Sequence, residues 1–135
     1  MTILLVEDDE VDIMNVKRAF KKNNISNPLV VAHNGLEALE VLRNDLPDAP
    51  KPKIVLLDLN MPKMGGIEFL KEIRKDANLS SLSVFVMTTS NEDSDKVEAF
   101  NLNVAGYILK PLSLDRFIAA VSTLNSYWTL CEFPH

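Results

Sequence analysis

The 135 residues hold one cysteine, Cys131, and two histidines, His33 and His135, none of them in metal-ligand spacing. A single thiol excludes an intrachain disulfide and suits a reducing compartment. A zinc or iron centre built on His and Cys has nothing to build with. No apolar run approaches the roughly 20 residues that span a bilayer. The N-terminus runs straight into a strand-like stretch without a charged, signal-like segment, so a cytoplasmic chain away from membranes is expected. Positive charge is in deficit, with 14 Lys and Arg against 19 Asp and Glu, and the net −5 argues against nucleic acid as the direct ligand. Repeats and low-complexity tracts are absent, and 4 glycines with 7 prolines give no bias towards disorder. What remains is an ordinary globular composition, 47% hydrophobic, of a length that suits one domain around one core.

The organising stretch is Lys53-Ile54-Val55-Leu56-Leu57-Asp58-Leu59-Asn60-Met61-Pro62. Its unbroken apolar row reads as a strand buried on both faces, as in the middle of a parallel sheet. The row ends in a carboxylate, Asp58, and Met61-Pro62 delays the next helix. Gly65-Gly66 is expected to give a flexible entry to that helix, whose inward residues are Phe69, Leu70 and Ile73. Thr2-Ile3-Leu4-Leu5-Val6 is a similar strand ending in four acids, Glu7-Asp8-Asp9-Glu10, before a helix with Ile13, Val16 and Phe20 on one face. Acids favour a helix start through the macrodipole, but one or two suffice for that. Pro28 to Ala32 reads as the next strand in chain order, and Asn34-Gly35 turns into a helix carrying Ala38, Leu39, Leu42 and Leu46. Residues 45–52 contain three prolines and read as a rigid loop. Leu82 to Met87 is a strand running into Thr88, and residues 91–103 read as a helix with a thin apolar face. Ala105 to Leu109 is a short strand ending in Lys110-Pro111, and Ser113 caps a last helix.

Five strands alternating with five helices imply an α/β fold, a parallel sheet wrapped on both faces by right-handed crossovers. The flavodoxin-like, doubly wound order 2-1-3-4-5 makes strands 1 and 3 neighbours at the topological switch point, outside which ligands bind. Glu7 and Asp8, Asp58, Thr88 and Lys110 then meet at one sheet edge. Clustered carboxylates repel one another unless protons or a cation intervene. Oxygen-only ligation suits Mg²⁺, which uses few carboxylates and keeps waters. A hydroxyl and an ammonium beside them suit an anion, so the set describes a phosphoryl site with Asp58 as the nucleophile.

These motifs in this order resemble the response-regulator receiver domain, the phosphoacceptor module of two-component signalling. The acid pair, D-L-N-M-P, the hydroxyl residue and K-P carry the resemblance over residues 1–125. It implies that Asp58 is the phosphorylated residue, that Glu7, Asp8, Asp58 and the Asn60 carbonyl hold Mg²⁺, and that Thr88 and Lys110 contact the phosphoryl group. It makes Thr88 and Tyr107 the switch pair. It implies a module that catalyses only its own phosphorylation and dephosphorylation, supplied by a sensor histidine kinase. Glu7 stands where many members have Asp, and the acid run also permits Asp8 and Asp9 as the pair, with strand length favouring Glu7 and Asp8. A phosphatase of the haloacid-dehalogenase type would need a second Asp at position 60, which is Asn. A flavodoxin would place a flavin phosphate against the acids at 7–10, which would repel it.

Residues 126–135 extend the last helix and tail. With T-T-S-N-E-D at 88–93 they resemble the single-domain regulators paired with bacterial phytochromes. Beside a core stripe of Leu114, Phe117, Ile118, Val121 and Trp128, a second apolar stripe of Ala120, Leu124, Tyr127 and Cys131 is expected to make a homodimer. The downstream partner is not legible.

Overall fold

Branched and long apolar residues occupy every position of Ile3–Val6 and of Ile54 to Leu57, and all eight are at most 2% exposed. Such residues favour the pleated, two-sided environment of a central strand. The structure is a computed structural model. It describes residues 2–22, 24, 27–44, 52, 54–59, 64–88, 102, 104 and 106–109, with backbone alone at 88 and 106–109. In chain order these residues form β1 (Ile3–Val6), α1 (Glu10–Lys22), β2 (Leu29–Ala32), α2 (Gly35–Arg43), β3 (Ile54–Asp58), α3 (Gly66–Lys75), β4 (Ser83–Thr88) and β5 (Gly106–Leu109). The sheet has the order β2-β1-β3-β4-β5 with every described pairing parallel, as the alternation of elements implied. The helix expected over 91–103 (Leu102 apart), the helix expected after Ser113, Leu46 with the rest of the loop at 45–51, and the extension at 126–135 lie outside the described residues.

Alternation along the strands divides the core in two. Leu4, Val6, Val55, Leu57, Val84 and Val86 meet Ala38, Leu39 and Leu42 of α2 and Phe69, Leu70 and Ile73 of α3. Ile3, Leu5, Ile54, Leu56, Phe85 and Met87 meet Ile13, Val16, Ala19 and Phe20 of α1. A strand's side chains alternate between faces, so one sheet can bury both. Each fully buried Leu, Ile or Val contributes about 1.5–3 kcal/mol, enough to fix the strand register firmly.

The helix starts are chemically specified. Asp9 Oδ1 accepts from the Val11 N–H at 2.8 Å and the Asp12 N–H at 3.2 Å, which caps α1. Asn34 Oδ1 accepts from the Glu37 N–H at 2.9 Å, and the Glu37 carboxylate accepts from the His33 N–H at 3.1 Å. The exchange resembles a capping box for α2, except that the Glu37 carboxylate reaches the backbone N–H of the residue before the cap. His33 also lies between Glu10, at 3.3 Å, and Glu37, at 3.6 Å, so it bridges the starts of α1 and α2. At the far end of α3, Arg74 donates to the carbonyls of Leu102, Ser80 and Leu82 at 2.8, 2.8 and 2.9 Å. Burial lowers the pKa of this guanidinium, yet its fork satisfies three backbone acceptors in the segments that lead into β4 and β5.

The backbone conformation at Gly65-Gly66 does not itself require glycine. Gly65 sits at φ −72°, ψ 169°, open to any residue, and no described glycine has positive φ. Gly66 is small because a Cβ there would lie 2.6 Å from Leu59 Cα and 2.8 Å from the Asp58 carbonyl oxygen.

Candidate functional site

Register builds the site. Val6 pairs with Leu57, so one further step along both strands sets Glu7 beside Asp58. Parity agrees: Glu7 continues Ile3 and Leu5, and Asp58 continues Ile54 and Leu56, all on the α1 side of the sheet. Both carboxylates are buried, Glu7 at 0% and Asp58 at 5% exposure, while Asp8 is exposed at the rim. One carboxylate oxygen from each of Glu7, Asp8 and Asp58 lies within 4.8 Å of the other two. These three lie at the carboxyl ends of β1 and β3, where the strand order reverses.

The four acids at 7–10 separate into different tasks. Glu7 Oε1 accepts from the Asp9 N–H at 3.2 Å, which turns the chain so that Asp8 follows towards the cluster. Asp9 is engaged as the α1 cap, and Glu10 faces His33. The sequence shows a run of acids in excess of capping; the structure shows which one caps.

Met87 pairs with Asp58, which puts the Thr88 backbone one step beyond the acceptor position, at the last residue of β4 rather than after it. Thr88 pairs with Leu109, and Tyr107 lies within β5 opposite Val86. Asn60 and Lys110 lie outside the described residues, although Lys110 directly follows Leu109 in the chain. The features not anticipated from sequence are the Asp9 cap's separation from the cluster, the His33 bridge and the tight seat of Gly66. An acid immediately before a helical pattern signals the first; the other two depend on contacts between elements distant in sequence.

The donor set fits a hard divalent cation. It offers oxygen alone, with two of three carboxylates buried, and leaves room for waters on the exposed Asp8 side. Like charges held this close are eased by a cation between them. A nearby nucleophilic carboxylate could then meet an anionic group without facing uncompensated repulsion.

Residues 3–122 match the family model described as the response regulator receiver domain. The response regulator Rcp1 of Synechocystis sp. is 34% identical over 128 residues, covering 93% of this chain and 87% of Rcp1. The crystal structure of the phosphorylated cyanobacterial phytochrome response regulator RcpA is similar at a TM-score of 0.86 and 32% identity, covering 99% of this chain and 98% of that one. The Mn(2+)-bound form of Rcp1 is similar at a TM-score of 0.85 and 33% identity, covering 99% of both chains.

Proposed function

This chain belongs to the response-regulator receiver family of two-component signalling, and on that premise we propose that Asp58 accepts a phosphoryl group from a sensor histidine kinase. The observation that carries the proposal is the Glu7, Asp8 and Asp58 cluster within 4.8 Å at the switch point of the sheet. The Asp58 carboxylate oxygen attacks phosphorus, the bond from phosphorus to the histidine nitrogen breaks, and an acyl phosphate forms on Asp58. The imidazole leaves with its electron pair and takes up a proton from solvent.

Glu7, Asp8, Asp58 and the Asn60 carbonyl would hold Mg²⁺, which neutralises the charge that develops on the transferred group. Use of Asp9 as the α1 cap supports Glu7 and Asp8 as the acidic pair. Thr88 and Lys110 contact the phosphoryl oxygens in this reading, and Tyr107 follows Thr88 as the switch. Water attack on the acyl phosphate resets the module, whose catalysis is confined to its own phosphorylation state. The likeness to RcpA, a cyanobacterial phytochrome response regulator, supports a phytochrome-type kinase as the donor. Intact-mass measurement after incubation with acetyl phosphate and Mg²⁺ is expected to show a gain of one phosphoryl group. EDTA should suppress it; an unchanged rate in EDTA would remove the metal from the mechanism.

The same reading assigns residues 1–125 to the receiver unit and 126–135 to a helical extension that pairs with a second copy. The double apolar stripe after Ser113 supports the pairing, since one helix covers its own core with one stripe. Sedimentation of the full chain is expected to give a dimer, and truncation after Asn125 a monomer. A full-length chain that stays monomeric at high concentration places the second stripe against its own domain. Among the described residues no helix is long and apolar enough to cross a membrane.

A further inference from the structure

We propose that Gly66 and Gly35 are positioning residues for the acceptor carboxylate, acting as two steric latches on the chain that leaves β3. The proposal rests on the assignment of Glu7, Asp8 and Asp58 as the metal and acceptor site.

Asp58 ends β3, and Leu59 is still held to the sheet by its N–H, which donates to the Met87 carbonyl at 3.3 Å. Met64 is the next described residue, and Gly66 donates its N–H to the Leu59 carbonyl at 3.3 Å. The closure is tight: a Cβ on Gly66 would come 2.6 Å from Leu59 Cα, 2.8 Å from the Asp58 carbonyl oxygen and 2.8 Å from Leu59 Cδ2. Two of those three atoms are backbone, so no side-chain rotation relieves the overlap. Asp58 or α3 must move.

The second latch lies on α2. Gly35 donates its N–H to the Met64 carbonyl at 3.1 Å. A Cβ on Gly35 would lie 2.7 Å from Met64 Cγ, 2.8 Å from Met64 O and 2.9 Å from Met64 Cβ. The first residues of both α2 and α3 therefore press on the same segment, with bare Cα atoms at the contacts. Neither glycine has a positive φ, so neither is required by backbone conformation. Each is required by proximity to the segment after the acceptor.

A methyl group at either latch displaces backbone bonded to, or one short segment away from, Asp58. The three carboxylates share a cation only while their oxygens stay close, so a displacement of a few tenths of an ångström weakens it. Arg74, at the opposite end of α3, offers a control, because Arg74→Met removes three backbone hydrogen bonds and costs stability without touching the latches.

The test is Mn²⁺ affinity, read from the electron paramagnetic resonance signal of free Mn²⁺, alongside urea unfolding of each variant. Gly66→Ala and Gly35→Ala are each expected to raise the Mn²⁺ dissociation constant about tenfold, as loss of supporting contacts around metal ligands does. Arg74→Met should lower stability and leave Mn²⁺ affinity within twofold of wild type. Should Gly66→Ala not fold, Gly35→Ala carries the measurement. Failure of both to fold, unchanged affinity in a folded variant, or an equal loss of affinity in Arg74→Met would each overturn the positioning role in favour of a purely structural one. A wild-type chain that binds no Mn²⁺ would overturn the metal-site assignment itself, and this inference with it.

Discussion

Asp58→Asn is expected to accept no phosphoryl group under conditions that fully modify the wild type, as read by intact mass. The substitution keeps volume and shape at a residue 5% exposed, and it leaves the paired strands undisturbed. What it removes is the anionic oxygen, and a neutral amide is a poor nucleophile towards phosphorus. It also deprives the cation of one of three clustered carboxylates. Both losses act on the same step, so the expected effect is complete rather than partial. Modification that persists in Asp58→Asn would move the acceptor elsewhere, with Asp8 the first alternative on geometry. Thr88→Ala provides the contrast. Thr88 sits one register step beyond Asp58 and pairs along β5 with Leu109. That variant should still gain a phosphoryl group while the chemical shift of Tyr107 no longer responds. A normal response at Tyr107 would reject the relay from Thr88.

The parts of this site that could be read in advance are those set by short-range pattern. The apolar rows at Ile3–Val6 and Ile54 to Leu57 declare buried parallel strands, and the carboxylates at their ends follow from chain order alone. Asn34 before Gly35 announced a helix start and is the α2 cap. The sheet order follows from right-handed crossovers between alternating elements. The parts that could not be read depend on three-dimensional approach. Gly65-Gly66 reads as a flexible entry to α3, because adjacent glycines usually signal conformational freedom. Only the distance from α3 to Leu59 shows that the role of Gly66 is to have no side chain. Arg74 stands in the last turn of α3, where the macrodipole favours a basic residue and sequence offers no further sign of a role. Its three carbonyl partners come from segments 6 to 28 residues away. His33 likewise acquires its meaning from Glu10, on a helix that the chain left two elements earlier.

The packing of like charges at the switch point has a measurable consequence for Glu7. Its carboxylate is fully buried, and an oxygen of it lies within 4.8 Å of oxygens of both Asp8 and Asp58. Unit charges at such separations repel by about 1–3 kcal/mol, depending on how far water screens them. The exposed Asp8 contributes at the lower end and the buried Asp58 at the upper. Glu7→Gln removes that repulsion while keeping an oxygen to accept from the Asp9 N–H, and its amide nitrogen can donate to a neighbouring carboxylate. In EDTA the variant is therefore expected to melt above the wild type, by roughly 3–5 °C for each kcal/mol recovered in a domain of this size. In excess Mg²⁺ the order should narrow or reverse. A ligand that binds only the native state stabilises it by an amount that grows as the logarithm of one plus the ratio of its concentration to its dissociation constant, and the variant is expected to bind the cation more weakly. Thermal unfolding of both proteins with and without Mg²⁺ separates the two effects. A variant that melts below the wild type in EDTA would mean that Glu7 is held by favourable contacts stronger than the repulsion. A variant that retains the whole Mg²⁺-induced shift would exclude Glu7 from the ligands and leave the cation to Asp8 and Asp58.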